Sequence, residues 1–263
     1  MDQATDPDNT LIRAALHTIT YDPSDRDAQR PAKRQMLDAH KPLADDLPAS
    51  DFVQMMHYYR ECSQVTVTVN DTSYKLPKSL VCSESTFFNK AFNSGFLETE
   101  EQKLSLTECT TETFELVVQW VYRHKLIFDI ASKKEKMVDL LFDFFKLADL
   151  LGLGGPFSTV ISMLKTIFID NGALLLPKHI RIAYQLPNNY NLRKLVAEAC
   201  VSKYVRFLRK GGKSKVQKEM DACEGFKMDV LEGVAGALKS METSYNSYVV
   251  RFTCPLTGDA IDL

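Results

Sequence analysis

The clearest pattern of hydrophobic and polar positions is a strict alternation over residues 65–69, which read VTVTV. Alternating β-branched residues predict a strand whose valines face a core and whose threonines face the other way. Asn70 and Asp71 form a turn signal, and a second strand over residues 73–76 completes a predicted hairpin. A third short strand is predicted over residues 104–106.

Most other segments show helical spacing of apolar positions, with hydrophobic residues three and four apart. Before the hairpin, residues 51–61 place Phe52, Met56 and Tyr59 at helical spacing. After it, the pattern predicts helices over residues 78–83, from Ser85 to Gly95, and then over 111–123, 135–151, 157–169, 177–186, 192–208 and 228–241.

The predicted helix ends have recognisable residues. Pro77 suits the start of a helix because its missing N–H is not needed there, and Ser85 and Thr110 are favourable N-cap residues. Gly95 is expected to end the helix that Ser85 begins. The acidic segment that follows, residues 96–103, is predicted to be a loop.

These patterns divide the chain into four regions. Residues 1–50, rich in Asp and Pro with few aromatics, are predicted to be disordered, because such a segment buries too little apolar surface to offset its ordering entropy. Residues 51–170 form the main domain, and residues 171–243 form a helical C-terminal extension. Residues 244–263 are expected to be a tail with one candidate strand over 248–252.

The order of hairpin, short helix pair, acidic segment, short strand and longer helices resembles the BTB/POZ family, and in particular its fungal branch. The resemblance covers about residues 62–151 and extends towards 170, and residues 177–204 resemble the helical region after many fungal BTB domains. It is carried by the sequences VTVTV at 65–69, YKLPKSLVC at 74–82, STFF at 85–88, GFLE at 95–98 and LSL at 104–106.

The resemblance implies an α+β fold, the BTB/POZ fold, in which a cluster of helical hairpins is flanked by a small β-sheet and followed here by a C-terminal helical extension. It implies a non-enzymatic protein-interaction module. BTB proteins that recruit cullin ubiquitin ligases carry a hydrophobic-x-Glu element at the position where this chain has Phe96, Leu97 and Glu98. The alternative is that Phe96 packs back onto Phe92 and that Glu98 is merely solvated.

The resemblance also implies a candidate homodimer surface on the helix over residues 51–61, made by Phe52, Met56 and Tyr59. The slightly favoured alternative is that these side chains cover the core of their own chain. Dimeric relatives have an Asp just before the first core strand, where this chain has Ser63 and Gln64. Many members also carry His at the position of Pro77.

Composition argues against several classes of protein. The net charge of −2 gives no global attraction to nucleic acid or to anionic membranes, and no apolar run is long enough to span a bilayer. The N-terminal sequence lacks the features of a secretory signal, so an intracellular location, cytoplasmic or nuclear, is expected. The six scattered cysteines are then expected to be free thiols.

No enzyme, cofactor or metal site is expected. Ser162 and Lys165 match an acylating Ser-x-x-Lys pattern, but its partner motifs are missing. Lys213 and Ser214 follow a glycine pair but lack the strand that precedes a phosphate-binding loop. Cys254 has no nearby Cys or His with which to bind zinc.

Three functions therefore remain in competition. The leading hypothesis is an adaptor that binds a cullin or another BTB chain. The runner-up is a homo- or hetero-oligomerising regulatory protein with no role in ubiquitin transfer. The third is nucleic-acid contact through the basic residues over 203–218, although a solvated charged helix face followed by a loop is the favoured interpretation of that stretch.

Overall fold

The computed structural model describes residues 47–129, 132–187, 191–210, 216–240, 242–243 and 250–262. Most of the predicted disordered segment, the glycine-lysine segment over 211–215 and the start of the candidate strand over 248–252 lie outside the described residues. Residues 49–170 are called the α/β body below, and residues 171–262 the C-terminal extension.

The described residues of the α/β body form three strands and seven α-helices, in the predicted order except that α4 lies where a loop is expected. They are α1 (Ala49–Glu61), β1 (Gln64–Val69), β2 (Thr72–Pro77), α2 (Lys78–Glu84), α3 (Thr86–Asn93), α4 (Leu97–Glu101), β3 (Lys103–Leu106), α5 (Thr111–Arg123), α6 (Lys134–Leu150) and α7 (Ser158–Asp170).

The C-terminal extension begins with a 3₁₀ turn and continues with four helices and three short strands. They are the turn Gly172–Leu174, α8 (Pro177–Gln185), α9 (Leu192–Lys210), α10 (Gln217–Ala222), α11 (Glu224–Lys239), β4 (Glu242–Thr243), β5 (Val250–Thr253) and β6 (Ala260–Asp262).

The first sheet has the strand order β2-β1-β3. Strands β1 and β2 form the predicted antiparallel hairpin, with Val67 opposite Tyr74. Strand β3 pairs with β1 in parallel, with Val67 opposite Leu104. The valines of β1 are buried and its threonines are partly exposed, as the alternation predicted.

The predicted N-caps at Ser85 and Thr110 are confirmed, since their side-chain oxygens accept hydrogen bonds from Phe88 N and Thr113 N at 3.1 and 3.2 Å. Helix α1 starts at Ala49, two residues before the predicted start at residue 51, so Asp51 lies within its first turn.

Ser85 also ties two distant parts of the α/β body together. Its hydroxyl donates to the carbonyl oxygen of Leu151 at 2.5 Å, beside backbone hydrogen bonds from Thr86 N to Gly152 O and from Phe87 N to Leu151 O. The start of α3 is therefore fixed to the end of α6. The Ser85 side chain is buried, so water does not compete for these hydrogen bonds.

We expect Ser85→Ala to lower the free energy of unfolding by about 1–3 kcal/mol, because it removes the cap of α3 and the hydrogen bond to Leu151. Chemical denaturation measures this change. Ser158→Ala, at an exposed serine in the first turn of α7, is the matched control and should have an effect below about 0.5 kcal/mol. Equal effects of the two substitutions would contradict the role of Ser85.

The core of the α/β body is rich in aromatic side chains. Trp120 is fully buried and stacks on Phe157 at a centroid distance of 4.7 Å, with Phe144 tilted against both rings. Its indole Nε1 donates to Gly154 O at 3.1 Å, which satisfies the only polar atom of the ring. Helices α5, α6 and the start of α7 are held together by this cluster.

The structure differs from the sequence prediction in two places of the C-terminal extension. The basic stretch over residues 203–218 is predicted to end in a loop, but residues 217 and 218 begin α10, whose Met220 is buried and whose Glu219 pairs with Arg181 at 3.0 Å. The expected tail contributes β5, which overlaps the candidate strand over 248–252, and β6 to an antiparallel sheet with the order β4-β5-β6, and it buries Phe252 and Cys254. Burial of these side chains stabilises the packed sheet, whereas a solvated tail would bury no apolar surface.

The C-terminal extension packs directly on the α/β body. His179 at the start of α8 is buried and stacks on Phe142 of α6 at 4.5 Å. Its Nε2 lies 2.7 Å from Asp139 Oδ1, and its Nδ1 accepts from Leu176 N at 3.1 Å. This pattern requires a neutral imidazole with the proton on Nε2.

Burial lowers the pKa of His179, against the opposing effect of Asp139, while Lys178 adds to the lowering and Asp143 opposes it. The unfolded chain therefore takes up a proton at this residue at a higher pH than the folded chain does. Stability linked to His179 is present above a pH of about 6.5 and is lost as the pH falls below that value.

We expect the free energy of unfolding to be higher for the wild type than for His179→Gln at about pH 7.5, and the difference to narrow towards about pH 5.5. Urea denaturation at a series of pH values measures it. The control is His57→Gln, the same substitution at an exposed histidine, which should change the free energy of unfolding by less than about 0.5 kcal/mol. A difference between wild type and His179→Gln that stays constant with pH would contradict the linkage.

Candidate functional site

The acidic segment after Gly95 is a short helix, which corrects the prediction of a loop. Helix α4 follows Phe96, which is extended, and ends at Gln102, whose φ is +53°. Glu98 and Glu100 lie in the first turn, where carboxylates interact favourably with the helix dipole. Five residues are too few to show a helical period in the sequence, so the pattern could not reveal this helix.

Phe96 and Leu97 project into solvent, with 58% and 65% of their surfaces exposed. The alternative in which Phe96 packs onto Phe92 does not hold in this structure. Glu98 is half-buried, and none of the carboxylates of α4 forms an ion pair with a described residue. The exposed pair and the three carboxylates make up what is called the α4 surface below.

Thr99 fixes the start of the α4 surface. Its hydroxyl accepts from Gly95 N at 3.1 Å and donates to Ala91 O at 3.0 Å, which links α4 to the end of α3. Gly95 has a φ of +78°, a conformation that side chains disfavour, and this turn directs the chain outward. The two hydrogen bonds of Thr99 thus hold the backbone on either side of Phe96.

The end of α4 is fixed by the first sheet. Gln102 O accepts from Thr66 N at 2.9 Å, and β3 begins at the next residue. The side chain of Gln102 donates to Thr99 O at 2.5 Å. Both ends of the short helix are therefore anchored, and the chain has no spare length with which to turn Phe96 inward.

Helix α1 carries the predicted homodimer surface, and its three residues differ in how far they are buried. Tyr59 is buried and meets Tyr122 edge-on at 6.1 Å, so it covers the core of its own chain. Phe52 and Met56 are 40% and 45% exposed. All three share one face of α1, but of the three only Tyr59 is buried.

Gln64 stands near the position where dimeric relatives have an Asp. Its amide Nε2 donates to Tyr59 O at 2.7 Å and to Cys62 O at 3.1 Å, and so closes the end of α1. Pro77, in the place of the His of other members, ends β2 and precedes α2. Gln64 and Pro77, the two residues that differ from the family pattern, therefore have local structural roles in this chain.

Only part of the basic stretch over residues 203–218 is described. Lys203 Nζ donates to Gly172 O at 2.6 Å, which gives it a structural role, while Arg206 and Lys218 are exposed. The predicted contact residues Lys213 and Lys215 lie outside the described residues.

An open groove of about 420 Å³ lies in the C-terminal extension, between α9 and α11. Arg193, Asp229 and Glu232 are among its lining residues. Arg193 donates to Leu186 O at 2.7 Å, and Tyr184 donates to Asp229 at 2.5 Å. Arg193 and Asp229 therefore help to pack α8 against α9 and α11, a role that no signal in the sequence indicated.

The cysteine thiols differ in their chemistry. Burial raises the pKa of Cys200 to about 12, so this thiol stays protonated at neutral pH. Burial also opposes ionisation of Cys254, but hydrogen bonds from Ser202 and from the turn at Thr257 and Leu256 hold its pKa below the usual range. Within the described ranges, no cluster of three His, Cys, Asp or Glu side chains could hold a metal ion.

Comparison with known proteins identifies the domain that carries both candidate surfaces. The sequence model of the BTB/POZ domain family matches residues 52–166. The chain contains a BTB/POZ domain. The predicted α+β fold is confirmed, and the matched residues run from within α1 to within α7 and include the first sheet.

Two solved structures illustrate the likeness. The BTB domain of zebrafish PATZ1 is 14% identical, with a TM-score of 0.32 over 48% of this chain and 97% of that one. The BTB domain of human gigaxonin is 11% identical, with a TM-score of 0.31 over 48% of this chain and 86% of that one. No curated protein matches the chain.

BTB domains are a family of non-enzymatic protein–protein interaction modules. Among the described residues, no helix is both long enough and apolar enough to cross a bilayer. Within the described part of the BTB domain, the exposed aromatic side chains lie on α1 and on the α4 surface.

Proposed function

We propose that the protein is a BTB adaptor that recruits a cullin ubiquitin ligase through the α4 surface. The observation that carries the proposal is the outward position of Phe96 beside a half-buried carboxylate at Glu98. An exposed aromatic residue has an energetic reason to enter a pocket on a partner, and a neighbouring carboxylate fixes the orientation of the complex.

The rigidity of the α4 surface supports the same proposal. Its two ends are anchored through Thr99 and Gln102, so little conformational entropy is lost when a partner binds. The acidic character of α4 favours a partner with a basic rim. We also propose an intracellular location, because cullin ligases act inside the cell.

Calorimetric titration of the full chain with the N-terminal domain of a BTB-binding cullin tests the proposal. We expect Phe96→Ala to weaken binding by about 2 kcal/mol, roughly thirtyfold in Kd, because it empties the partner's pocket. Glu98→Ala should weaken it as well. Glu100→Ala, an exposed carboxylate on the same helix, is the matched control and should bind nearly as tightly as the wild type.

Absence of binding by the folded wild type would refute the adaptor proposal. Binding that all three substitutions leave unchanged would place the cullin contact elsewhere on the chain.

The second proposed function is oligomerisation through α1. It is favoured by the exposure of Phe52 and Met56, which continue the face that Tyr59 buries in its own core, and by the exposure of Val53 and Tyr58 on the same helix. A symmetric contact between two such helices would cover these apolar side chains.

We expect Phe52→Asp to convert a dimer into a monomer, since a buried carboxylate without a partner is costly in an apolar interface. Light scattering coupled to size-exclusion chromatography gives the mass. Asp51→Asn, a change at the neighbouring exposed position, should leave the dimer intact. A wild-type monomer, or a dimer that tolerates Phe52→Asp, would rule out this surface as the interface.

A further inference from the structure

Helix α11 of the C-terminal extension has two apolar faces. Its inner face packs against α9 and β5 through four buried residues, namely Phe226, Val230, Val234 and Ala237. The contact with α9 is so close that a Cβ at Gly233 would lie 2.6 Å from Val201 Cγ2. The inner face holds α11 in place, but its packing does not cover the apolar side chains of the outer face.

The outer face carries Met228, Leu231 and Leu238, which are 58%, 38% and 48% exposed, together with the exposed Ala235. Spacings of three and four residues place all four side chains on one stripe along the helix. We call these four residues the α11 stripe. Contiguous exposed apolar side chains of this kind mark a surface that another molecule covers.

We propose that the α11 stripe binds the same stripe of a second copy of this chain, with the two helices antiparallel. With the twofold axis between Leu231 and Glu232, each Met228 lies opposite Ala235 of the other copy, and each Leu238 lies opposite Gly225. Each of these large side chains then faces a small residue, and the two Leu231 side chains meet near the axis. Such self-complementarity is what a symmetric contact between identical surfaces requires.

The charges at the two ends of α11 support this arrangement. In the same register, Glu224 at the start of the helix lies opposite Lys239 at the end of the other copy, which gives two identical ion pairs. A parallel arrangement would instead bring Glu224 to Glu224 and Lys239 to Lys239. Antiparallel helices also align their dipoles favourably.

The α11 stripe is a separate surface from α1 and α4, so the inference goes beyond the proposed function. A stripe on one helix is smaller than the roughly 800 Å² per partner of a standard stable interface, and we therefore expect a dimer that dissociates on dilution. If α1 also forms symmetric contacts, the two surfaces together would link chains into larger assemblies.

Sedimentation velocity at several protein concentrations tests the α11 contact, using the full chain with Phe52→Asp so that α1 cannot contribute. We expect a concentration-dependent dimer, and we expect Met228→Glu to raise its Kd by about tenfold or more. Ile169→Glu, at an apolar residue of α7 that is 47% exposed, is the matched control and should leave the Kd unchanged. Circular dichroism verifies that each variant is folded.

The register is tested by charge reversal. Lys239→Glu should weaken the dimer by placing two carboxylates together, and adding Glu224→Lys to the same chain should restore it. A chain that is monomeric at every concentration, a dimer that tolerates Met228→Glu, or a double variant that fails to recover would each overturn the proposal.

Discussion

The parallel pairing of β3 with β1 is the constraint on which the candidate site depends. A parallel strand cannot follow its neighbour through a tight turn, so the chain must cross over between them. Here that crossover contains β2, α2, α3 and α4. The hydrogen bond from Thr66 N to Gln102 O, beside the first residue pair of the ladder, fixes the end of α4. Phe96, which precedes α4, stays exposed.

The same arrangement explains why a buried core and an exposed aromatic residue occur so close together. Phe88 and Phe92 of α3 are buried and stack at 6.0 Å, whereas Phe96 is largely exposed. The change happens at Gly95, whose backbone conformation turns the chain away from the core. The difference in exposure between Phe92 and Phe96 is therefore caused by the backbone conformation, because the two side chains are identical.

Much of the BTB domain could be predicted from the sequence because its signals are local. The alternation of β1 and the caps at Ser85 and Thr110 are each contained within a few residues, and the long helices show several periods of apolar spacing. Helices α4 and α10 have five and six residues, and β4 and β6 have two and three, so no period could reveal them; β5 overlaps the candidate strand over 248–252. Their positions depend on distant partners, as in the pairing of Glu219 with Arg181.

The position of the candidate site could be predicted, but its geometry could not. Phe96, Leu97 and Glu98 follow from the resemblance, while the exposure of Phe96 depends on Thr99 and on the sheet. Likewise, the spacing of Phe52, Met56 and Tyr59 predicted a shared face, but only the fold decides that Tyr59 is buried and the other two are not. The packing of His179 on α6 joins residues far apart in the chain and has no local signal.

The central claim is that a rigid, outward-facing α4 surface binds the partner of this BTB domain. Amide hydrogen exchange of the full chain, alone and with a cullin N-terminal domain, tests it most directly. The account predicts slow exchange at Gln102 in the free chain and added protection confined mainly to residues 95–102 in the complex. Protection that appears elsewhere, or none on addition of the cullin domain, would contradict it.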